Sequence, residues 1–188
     1  KCAGRVSALV ERCKVANPVG TSGIAHTRWA THGAPNDKNA HPHRDCSERI
    51  AVTHNGIIEN FRELKAQLMV AGHEFTSETD TEVIAHLVED AWKGPRKGDL
   101  VAALRNACSR LKGSWAIACI CADAPGQIAV ARNGSPLVVA STDDGAYAAS
   151  DVMPLASITS HVIQLANSQF ALLESNGIVT IYDEAGDM

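Results

Sequence analysis

Four polar clusters in the first half of the sequence contain residue types that can bind or activate a small substrate. The first, at residues 26–33, contains Arg28 with Trp29 beside it and the hydroxyl of Thr31 nearby. A guanidinium holds a carboxylate through two parallel charge-assisted hydrogen bonds, and an adjacent indole ring could cover the bound group. Composition alone favours the simpler alternative, which is an arginine in a salt bridge and a tryptophan in the core.

The second cluster is Asn-Ala-His-Pro-His at residues 39–43, where His41 and His43 flank a proline. Neutral imidazoles are common metal ligands, so this pair raises the question of a metal site. No cysteine or carboxylate pair stands at a spacing typical of metal sites, and the proline indicates a fixed turn. We therefore expect no metal there, and no cofactor.

The third cluster, His-Asn-Gly-Ile-Ile, begins at His54. Asn-Gly is the strongest short signal for a tight hairpin turn, which would require no function. Alternatively, the Asn55 side-chain amide and the Gly56 backbone N–H could point at one oxygen and form an oxyanion hole for acyl transfer. The helical pattern after this cluster weakens the hairpin interpretation.

The fourth cluster, at residues 77–82, places Asp80 in the first turn of a predicted helix. The helix dipole favours an acid there without any function, but the carboxylate could also meet the ammonium group of an amino acid. Spacing alone does not separate these readings. Together, the clusters supply a carboxylate clamp, an ammonium partner and an oxyanion hole, which is the set that an amino-acid amide would require.

The elements that must position these clusters follow from hydrophobic periodicity. A short strand is predicted at residues 23–27, a long polar loop at 28–44, and a strand at 50–53 that stops at His54. Three helices follow: one from Phe61 to Gly72, one opening at Thr79 with Glu82 as a capping box, and one from about Asp99 to Gly113. The second half alternates apolar runs with turn residues and predicts successive strands: 115–122, 127–131, 136–140, 146–149, 162–165, 169–173 and 178–182. This order indicates layers of helix and largely antiparallel sheet.

The bulk properties exclude several classes of protein. A net charge of −4 without a basic block argues against a nucleic-acid or anionic-membrane surface. No apolar run is long enough to span a bilayer. The six cysteines show no CxxC pairs, and Cys119 and Cys121 alternate in an apolar run. This pattern is typical of reduced, packed thiols in a cytoplasmic protein.

Read in order, the four clusters resemble the class II glutamine amidotransferase domains, in the form found in glucosamine-6-phosphate synthases. The resemblance rests on His-Thr-Arg-Trp-Ala-Thr-His-Gly from residue 26, Asn-Ala-His-Pro-His from 39, His-Asn-Gly-Ile-Ile-Glu-Asn from 54 and Ser-Glu-Thr-Asp-Thr-Glu-Val-Ile from 77. Arg-Asn-Gly-Ser-Pro-Leu from residue 132 and Ala-Ser-Asp from 149 continue it over nearly the whole chain.

This resemblance implies an α+β fold, a four-layered α/β/β/α sandwich of the N-terminal-nucleophile hydrolase type. It implies hydrolysis of L-glutamine to glutamate and ammonia, for transfer to fructose 6-phosphate in a homo-oligomeric parent enzyme. The implied site residues are Arg28 for the substrate carboxylate, with Trp29, Thr31 and His32 in the loop that closes over it; Asp80 for the ammonium group; Asn55 and Gly56 for the oxyanion hole; and His41 as an organiser of the loop.

The start of the sequence departs from the family pattern. The family begins Cys-Gly-Ile, and the α-amino group of that cysteine acts as its general base, whereas Cys2 here follows Lys1 and precedes Ala3. The resemblance therefore implies one incomplete domain over residues 1–188, without the nucleophile segment and without a sugar-phosphate isomerase region. We expect this chain alone not to turn over glutamine. The alternatives are a glutamine- or glutamate-binding fragment and a phosphoribosylamine-forming amidotransferase.

Overall fold

The computed structural model describes residues 1–28, 33–94 and 96–187. The helices are α1 (Val6–Ala16), α2 (Phe61–Val70), α3 (Glu82–Lys93), α4 (Leu100–Cys108) and a 3-10 turn (Met153–Leu155). The strands are β1 (His43–Arg44), β2 (Ile50–Ile58), β3 (Gly113–Cys121), β4 (Gln127–Asn133), β5 (Val138–Thr142), β6 (Gly145–Ala149), β7 (Ile163–Gln164), β8 (Gln169–Glu174) and β9 (Val179–Tyr182). Each strand predicted in the second half is present, with ends shifted by at most a few residues.

An antiparallel sheet of six strands forms the centre of the molecule, in the order β1-β2-β3-β4-β8-β9. The third strand of this order, β3, contributes side chains to the core on both faces of the sheet. Its side chains alternate with the period of two that a strand imposes: Ile117 and Cys119 face one core cluster, and Ala116 faces another. This strand therefore joins the two halves of the core.

The layers follow from these two clusters. One face of the six-stranded sheet packs against α2, α3 and α4. The other face packs against a three-stranded antiparallel sheet of order β6-β5-β7. Beyond that sheet, Val138 and Ala140 pack against Leu155 of the 3-10 turn. The order is helix, sheet, sheet and short helical cap, so the expected α+β fold with mainly antiparallel sheets is confirmed.

Two strand predictions were wrong. Residues 23–27 form no strand with any described segment, and an extended segment without a partner has no ladder to join. Strand β2 does not stop at His54 but continues through Asn55 and Gly56 to Ile58. Its whole length pairs with β3, from Ile50 opposite Cys121 to Ile58 opposite Gly113. Asn55 and Gly56 lie inside a strand whose nine residues all pair with β3, and they form no turn. The hairpin interpretation was therefore wrong as well.

The predicted start of α3 was three residues too early. Thr79 does not open the helix, which begins at Glu82. The Glu82 carboxylate instead accepts hydrogen bonds from the backbone N–H of Thr76 (2.8 Å) and of Ser77 (2.7 Å), and from both hydroxyls. Residues 76–81 therefore form a tight loop folded around a buried carboxylate, not a helical turn.

The helices and the cysteines also bear on two predictions made from the sequence, the lack of a membrane span and the packing of the thiols. No helix of the described residues has the length and hydrophobicity that crossing a membrane requires. The six cysteines form no disulfide, and Cys108, Cys119 and Cys121 are buried, as packed thiols were predicted to be.

Candidate functional site

The Asn-Gly pair lies on β2 near its end, where a backbone constraint explains the glycine. Gly56 has φ 136°, a conformation that residues with a side chain rarely adopt. A Cβ at this position would overlap the carbonyl oxygen of Ser114 on β3 and would lie 3.0 Å from the hydroxyl oxygen of Ser135. Only glycine allows the two strands to approach this closely. The neighbouring Asn55 side chain is exposed at the same strand end.

Asp80 is fixed to the end of this strand. Its side chain is 4% exposed, and Oδ2 accepts a hydrogen bond of 2.8 Å from the backbone N–H of Ile58. A hydrogen bond from a backbone N–H to a carboxylate is charge-assisted, and it fixes the direction of the carboxylate. Asp80 is thus bonded to Ile58, which follows Asn55 by three residues on β2.

Two buried histidines connect β2 to the loop that precedes it and to the start of α3. The backbone N–H of His54 donates to His41 Nδ1 (3.4 Å), so the His41 proton is on Nε2, which lies 3.2 Å from Thr81 Oγ1. The Thr81 hydroxyl is then free to donate to His54 Nδ1, 3.1 Å away. His26 stacks on His41 with ring centroids 4.3 Å apart.

These histidines are held in the neutral form. Burial, together with the positive charge that His26, His43 and His54 would carry, lowers the pKa of His41 to about 2. Burial also lowers the pKa of His43 to about 4, and the pKa of His26 and that of His54 are lowered for the same first reason. A group that titrates so far below neutral pH is a poor acid or base at pH 7, and the neutral rings of His41 and His43 instead make hydrogen bonds within the fold.

The two histidines of the His-Pro-His motif do not form a metal pair. Both nitrogens of His41 have protein partners, and Nε2 of His43 lies 3.1 Å from the hydroxyl oxygen of Thr79. Their rings meet edge to face at 5.0 Å between centroids. The motif therefore anchors its segment to residues 79–81.

Arg28 lies at the mouth of the polar loop. Its guanidinium donates to the carbonyl oxygens of Gly33 (3.1 Å) and Ala34 (3.4 Å), five and six residues further along the loop. Gly33 has φ 76°, and a Cβ there would lie 2.6 Å from the Asn39 amide nitrogen. A glycine that permits close approach therefore lies next to the carbonyl oxygens that bind Arg28.

Asn39 joins this loop to the segment that carries Asp80. Its side chain is fully buried and donates to the Ala34 carbonyl (3.0 Å) and to the Glu78 carboxylate (3.1 Å). Its amide oxygen accepts from the backbone N–H of Glu78 (3.0 Å). Asn39 therefore bonds the loop that holds Arg28 to Glu78, two residues before Asp80 in the chain.

Of the five predicted residues Arg28, His41, Asn55, Gly56 and Asp80, hydrogen bonds tie His41 and Asp80 to the strand β2 that carries the Asn55–Gly56 pair, and Arg28 follows His26, whose ring stacks on His41. The predicted residues Trp29, Thr31 and His32 lie outside the described residues. Two cavities among the described residues, of about 210 and 320 Å³, lie elsewhere and include none of these five.

Sequence reasoning missed several residues that hold this site. They are buried polar groups within or beside the recognised clusters, and they bond to one another rather than outward: Asn39, His43, Thr79, Thr81 and Glu82. Each lies in a stretch dense in polar residues, which is the only signal the sequence offered. Asn39, His43 and Thr81 each have one partner that is 36 or more residues away, and no local pattern could identify those pairs.

Comparison with known proteins adds independent evidence. The family model described as a glutamine amidotransferase domain matches residues 26–157. Glutamine–fructose-6-phosphate aminotransferase (isomerizing) of Thermococcus kodakarensis is 46% identical over 188 residues, which is all of this chain and 31% of the relative. The enzyme of the same name from Thermotoga maritima is 52% identical over 164 residues, 87% of this chain and 26% of the relative. This chain thus spans about a third of the length of these relatives.

A solved structure also matches the fold. Glutamine phosphoribosylpyrophosphate amidotransferase of B. subtilis superposes with a TM-score of 0.67 at 26% sequence identity, covering 85% of this chain and 34% of that one.

Proposed function

Since the chain belongs to the class II glutamine amidotransferase domain family, we propose that it is the glutamine-hydrolysing domain of a glutamine–fructose-6-phosphate aminotransferase. The parent enzyme would release ammonia from L-glutamine and transfer it to fructose 6-phosphate, giving glucosamine 6-phosphate. Such a parent would also contain a sugar-phosphate isomerase region, and would act in the cytoplasm as a homo-oligomer.

The observation that supports this choice most strongly is the sequence identity to relatives of that name over 87–100% of the chain. They reach 46–52%, whereas the phosphoribosylpyrophosphate amidotransferase shares 26%. A phosphoribosylpyrophosphate amidotransferase is therefore the alternative parent enzyme. Both share the first step, which is hydrolysis of the glutamine amide, and differ in the acceptor of ammonia.

In the proposed site, Asp80 and Arg28 bind the two charged groups of the amino acid. Asp80 would accept from the ammonium group of glutamine, since its carboxylate is already directed by the Ile58 N–H. Arg28 would face the substrate carboxylate, with its guanidinium position set by the carbonyl oxygens of Gly33 and Ala34. Trp29, Thr31 and His32 would belong to the segment that closes over the ligand.

Asn55 and Gly56 would stabilise the oxyanion. In acyl transfer, the negative charge that develops on the amide oxygen is best met by donors already fixed in place. The pairing of β2 with β3 and the close contact of Gly56 with Ser114 supply that rigidity. His41 would be a positioning residue, because its neutral ring connects β2 to Thr81.

Hydrolysis of glutamine through a γ-glutamyl thioester requires a nucleophilic cysteine. In N-terminal-nucleophile enzymes, the cysteine's own α-amino group takes the thiol proton. Cys2 does not have this group, because Lys1 occupies its amino side. The nearby Ala3 N–H donates to the Asp37 carboxylate (2.7 Å), which anchors this segment to the polar loop. We therefore expect the 188-residue chain to bind the amino acid without turning it over.

Titration calorimetry of the 188-residue chain with L-glutamate tests these roles. We expect saturable binding that weakens about tenfold or more in Asp80→Asn and in Arg28→Ala, because each loses one charged contact of at least ~1.4 kcal/mol. Asp80→Asn keeps an oxygen to accept from the Ile58 N–H, so the loop is retained while the charge is removed.

Arg5→Ala and Asp143→Asn serve as matched controls, since both side chains are exposed. Equal affinities of Asp80→Asn and wild type for glutamate would contradict the ammonium role. Glutamine turnover that disappears in Cys2→Ala would contradict the expected inactivity of Cys2.

A further inference from the structure

Four side chains outside the glutamine site converge on one point between the loop after β1, the α2–α3 connection and α3. They are Cys46, His73, His86 and Glu89, and one donor atom of each lies within 4.8 Å of every other. His86 and Glu89 are almost fully buried. We propose that these four residues form a structural Zn²⁺ site. This proposal does not rest on the assignment of the glutamine pocket.

Five of the six distances among the donor atoms are close to those of a tetrahedral site, and the sixth, between Cys46 and Glu89, lies within 4.8 Å. Zinc bonds of about 2.3 Å to sulfur and about 2.0–2.2 Å to nitrogen or oxygen place tetrahedral ligands ~3.6 Å apart for sulfur and nitrogen, and ~3.3 Å apart for two lighter atoms. Cys46 Sγ lies 3.6 Å from His73 Nδ1 and 3.5 Å from His86 Nδ1. The two Nδ1 atoms are 3.2 Å apart, and Glu89 Oε2 lies 3.2 Å from His73 Nδ1 and 3.5 Å from His86 Nδ1. All five distances fit one central ion.

The position of the His73 proton also favours a cation at the centre of the four side chains. His73 Nε2 lies 2.9 Å from the Asp90 carboxylate, so its proton belongs there. Its Nδ1 lone pair then faces the Glu89 carboxylate, and a lone pair and a carboxylate oxygen 3.2 Å apart repel unless something positive lies between them. The alternative without a metal is a doubly protonated His73 that pairs with both carboxylates.

The surrounding groups match the way in which proteins support a metal. A ligating histidine commonly donates its other N–H to a carboxylate, as His73 does to Asp90. Glu89 is held by Lys93 through its second oxygen (2.5 Å). The outer nitrogen of His86 is buried and has no hydrogen-bond partner among the described residues, so only His73 has its ring orientation fixed by a carboxylate.

The chemistry of the donors selects the ion. Thiolate and imidazole ligands favour zinc over magnesium or calcium, and four protein ligands leave no open position for substrate. The site is therefore structural. It would join the loop that carries Cys46 to α3 and to the connection that leads to residues 76–81, which are part of the glutamine site.

Sequence reasoning did not find this site, because its ligands come from three separate segments and only His86 and Glu89 share a helical face. In the sequence, only the His-Pro-His motif at His41 and His43 suggests metal ligands.

Elemental analysis of the purified 188-residue chain tests the proposal. We expect one zinc per chain, and loss of at least about nine-tenths of it in Cys46→Ser and His86→Gln. Cys13→Ser and His161→Gln are matched controls at exposed positions and should keep the full content. Asp90→Asn should weaken zinc affinity about 10- to 100-fold without abolishing binding.

Cobalt substitution of the unmutated chain gives a second measurement that does not depend on the folding of a variant. We expect the intense visible absorption of tetrahedral Co²⁺ together with a thiolate-to-cobalt charge-transfer band, and loss of that band alone in Cys46→Ser. Zinc content in the wild type no higher than in Cys46→Ser, or a cobalt spectrum of the six-coordinate aqua type, would overturn the proposal.

Discussion

At the scale of single residues, Gly56 shows how a turn signal became a part of a strand. Its positive φ and its contact with the Ser114 carbonyl require the absence of a side chain. The same contact fixes the N–H of an oxyanion hole in the proposed site. Structure and proposed function thus depend on one missing Cβ.

Gly56→Ala is expected to destabilise the chain by about 2–4 kcal/mol, because both backbone strain and overlap with β3 must be relieved. Gly72→Ala is the matched control: φ is 96° there, but a Cβ would meet no atom within 4 Å. The control should lose only the conformational cost of roughly 1–2 kcal/mol. Urea unfolding of both variants measures the difference, and equal losses would show that the contact with Ser114 does not matter.

The site residues could be predicted from sequence only as members of clusters. Arg28, Asn55, Gly56 and Asp80 are individually compatible with purely structural roles. Their order along the chain made the family recognisable, but their hydrogen-bond partners could not be predicted. Asn39 illustrates the reason, since its buried amide connects to Glu78, 39 residues away.

At the scale of elements, a group of neutral histidines holds the segments of the site together. His26 precedes the polar loop, His43 lies on β1, His54 lies on β2, and His41 contacts Thr81 at the start of α3. None of these rings gains from being charged, because burial and mutual repulsion oppose protonation. The assembly should therefore be sensitive to acid.

The direction of this pH dependence follows from the lowered pKa values. In the unfolded chain histidine titrates near 6.5, so below that pH the unfolded state binds protons that folded His41 and His43 do not. Stability is fully present above about pH 6.5 and falls as the pH decreases toward about 4, by up to ~1.4 kcal/mol per pH unit for each histidine.

His41→Gln should flatten this loss of stability relative to wild type, even if it lowers stability at pH 7. Denaturant unfolding at pH 7 and pH 5 measures both slopes. His161→Gln, at an exposed position, should keep the wild-type slope. If His41→Gln kept it too, the pH dependence would have to come from other groups.

Most elements could be predicted from periodicity, and the exceptions have physical causes. The predicted helices and the strands of the second half correspond to those observed, because their apolar faces pack on the core. The strand expected at residues 23–27 has no described partner, and β2 extends beyond its apolar run because β3 pairs with it throughout. The propensity of a segment depends on its own residues, whereas the length of a paired strand also depends on the segment that pairs with it.

At the scale of the whole molecule, the polar loop leads into β1, the edge strand of the six-stranded sheet, which pairs with β2. The proposed zinc ligand His73 and Asp80 lie on the same connection between α2 and α3, so we expect metal binding and order in the proposed glutamine site to be coupled through residues 73–81.

We propose that this domain supplies glutamine nitrogen to fructose 6-phosphate. A heavy-nitrogen label in the glutamine amide, followed in the proposed parent enzyme, tests this transfer. We expect labelled glucosamine 6-phosphate from fructose 6-phosphate, and loss of the label in Asp80→Asn while added ammonia still supports synthesis. No labelled product from fructose 6-phosphate, with labelled phosphoribosylamine formed from phosphoribosyl pyrophosphate instead, would contradict it.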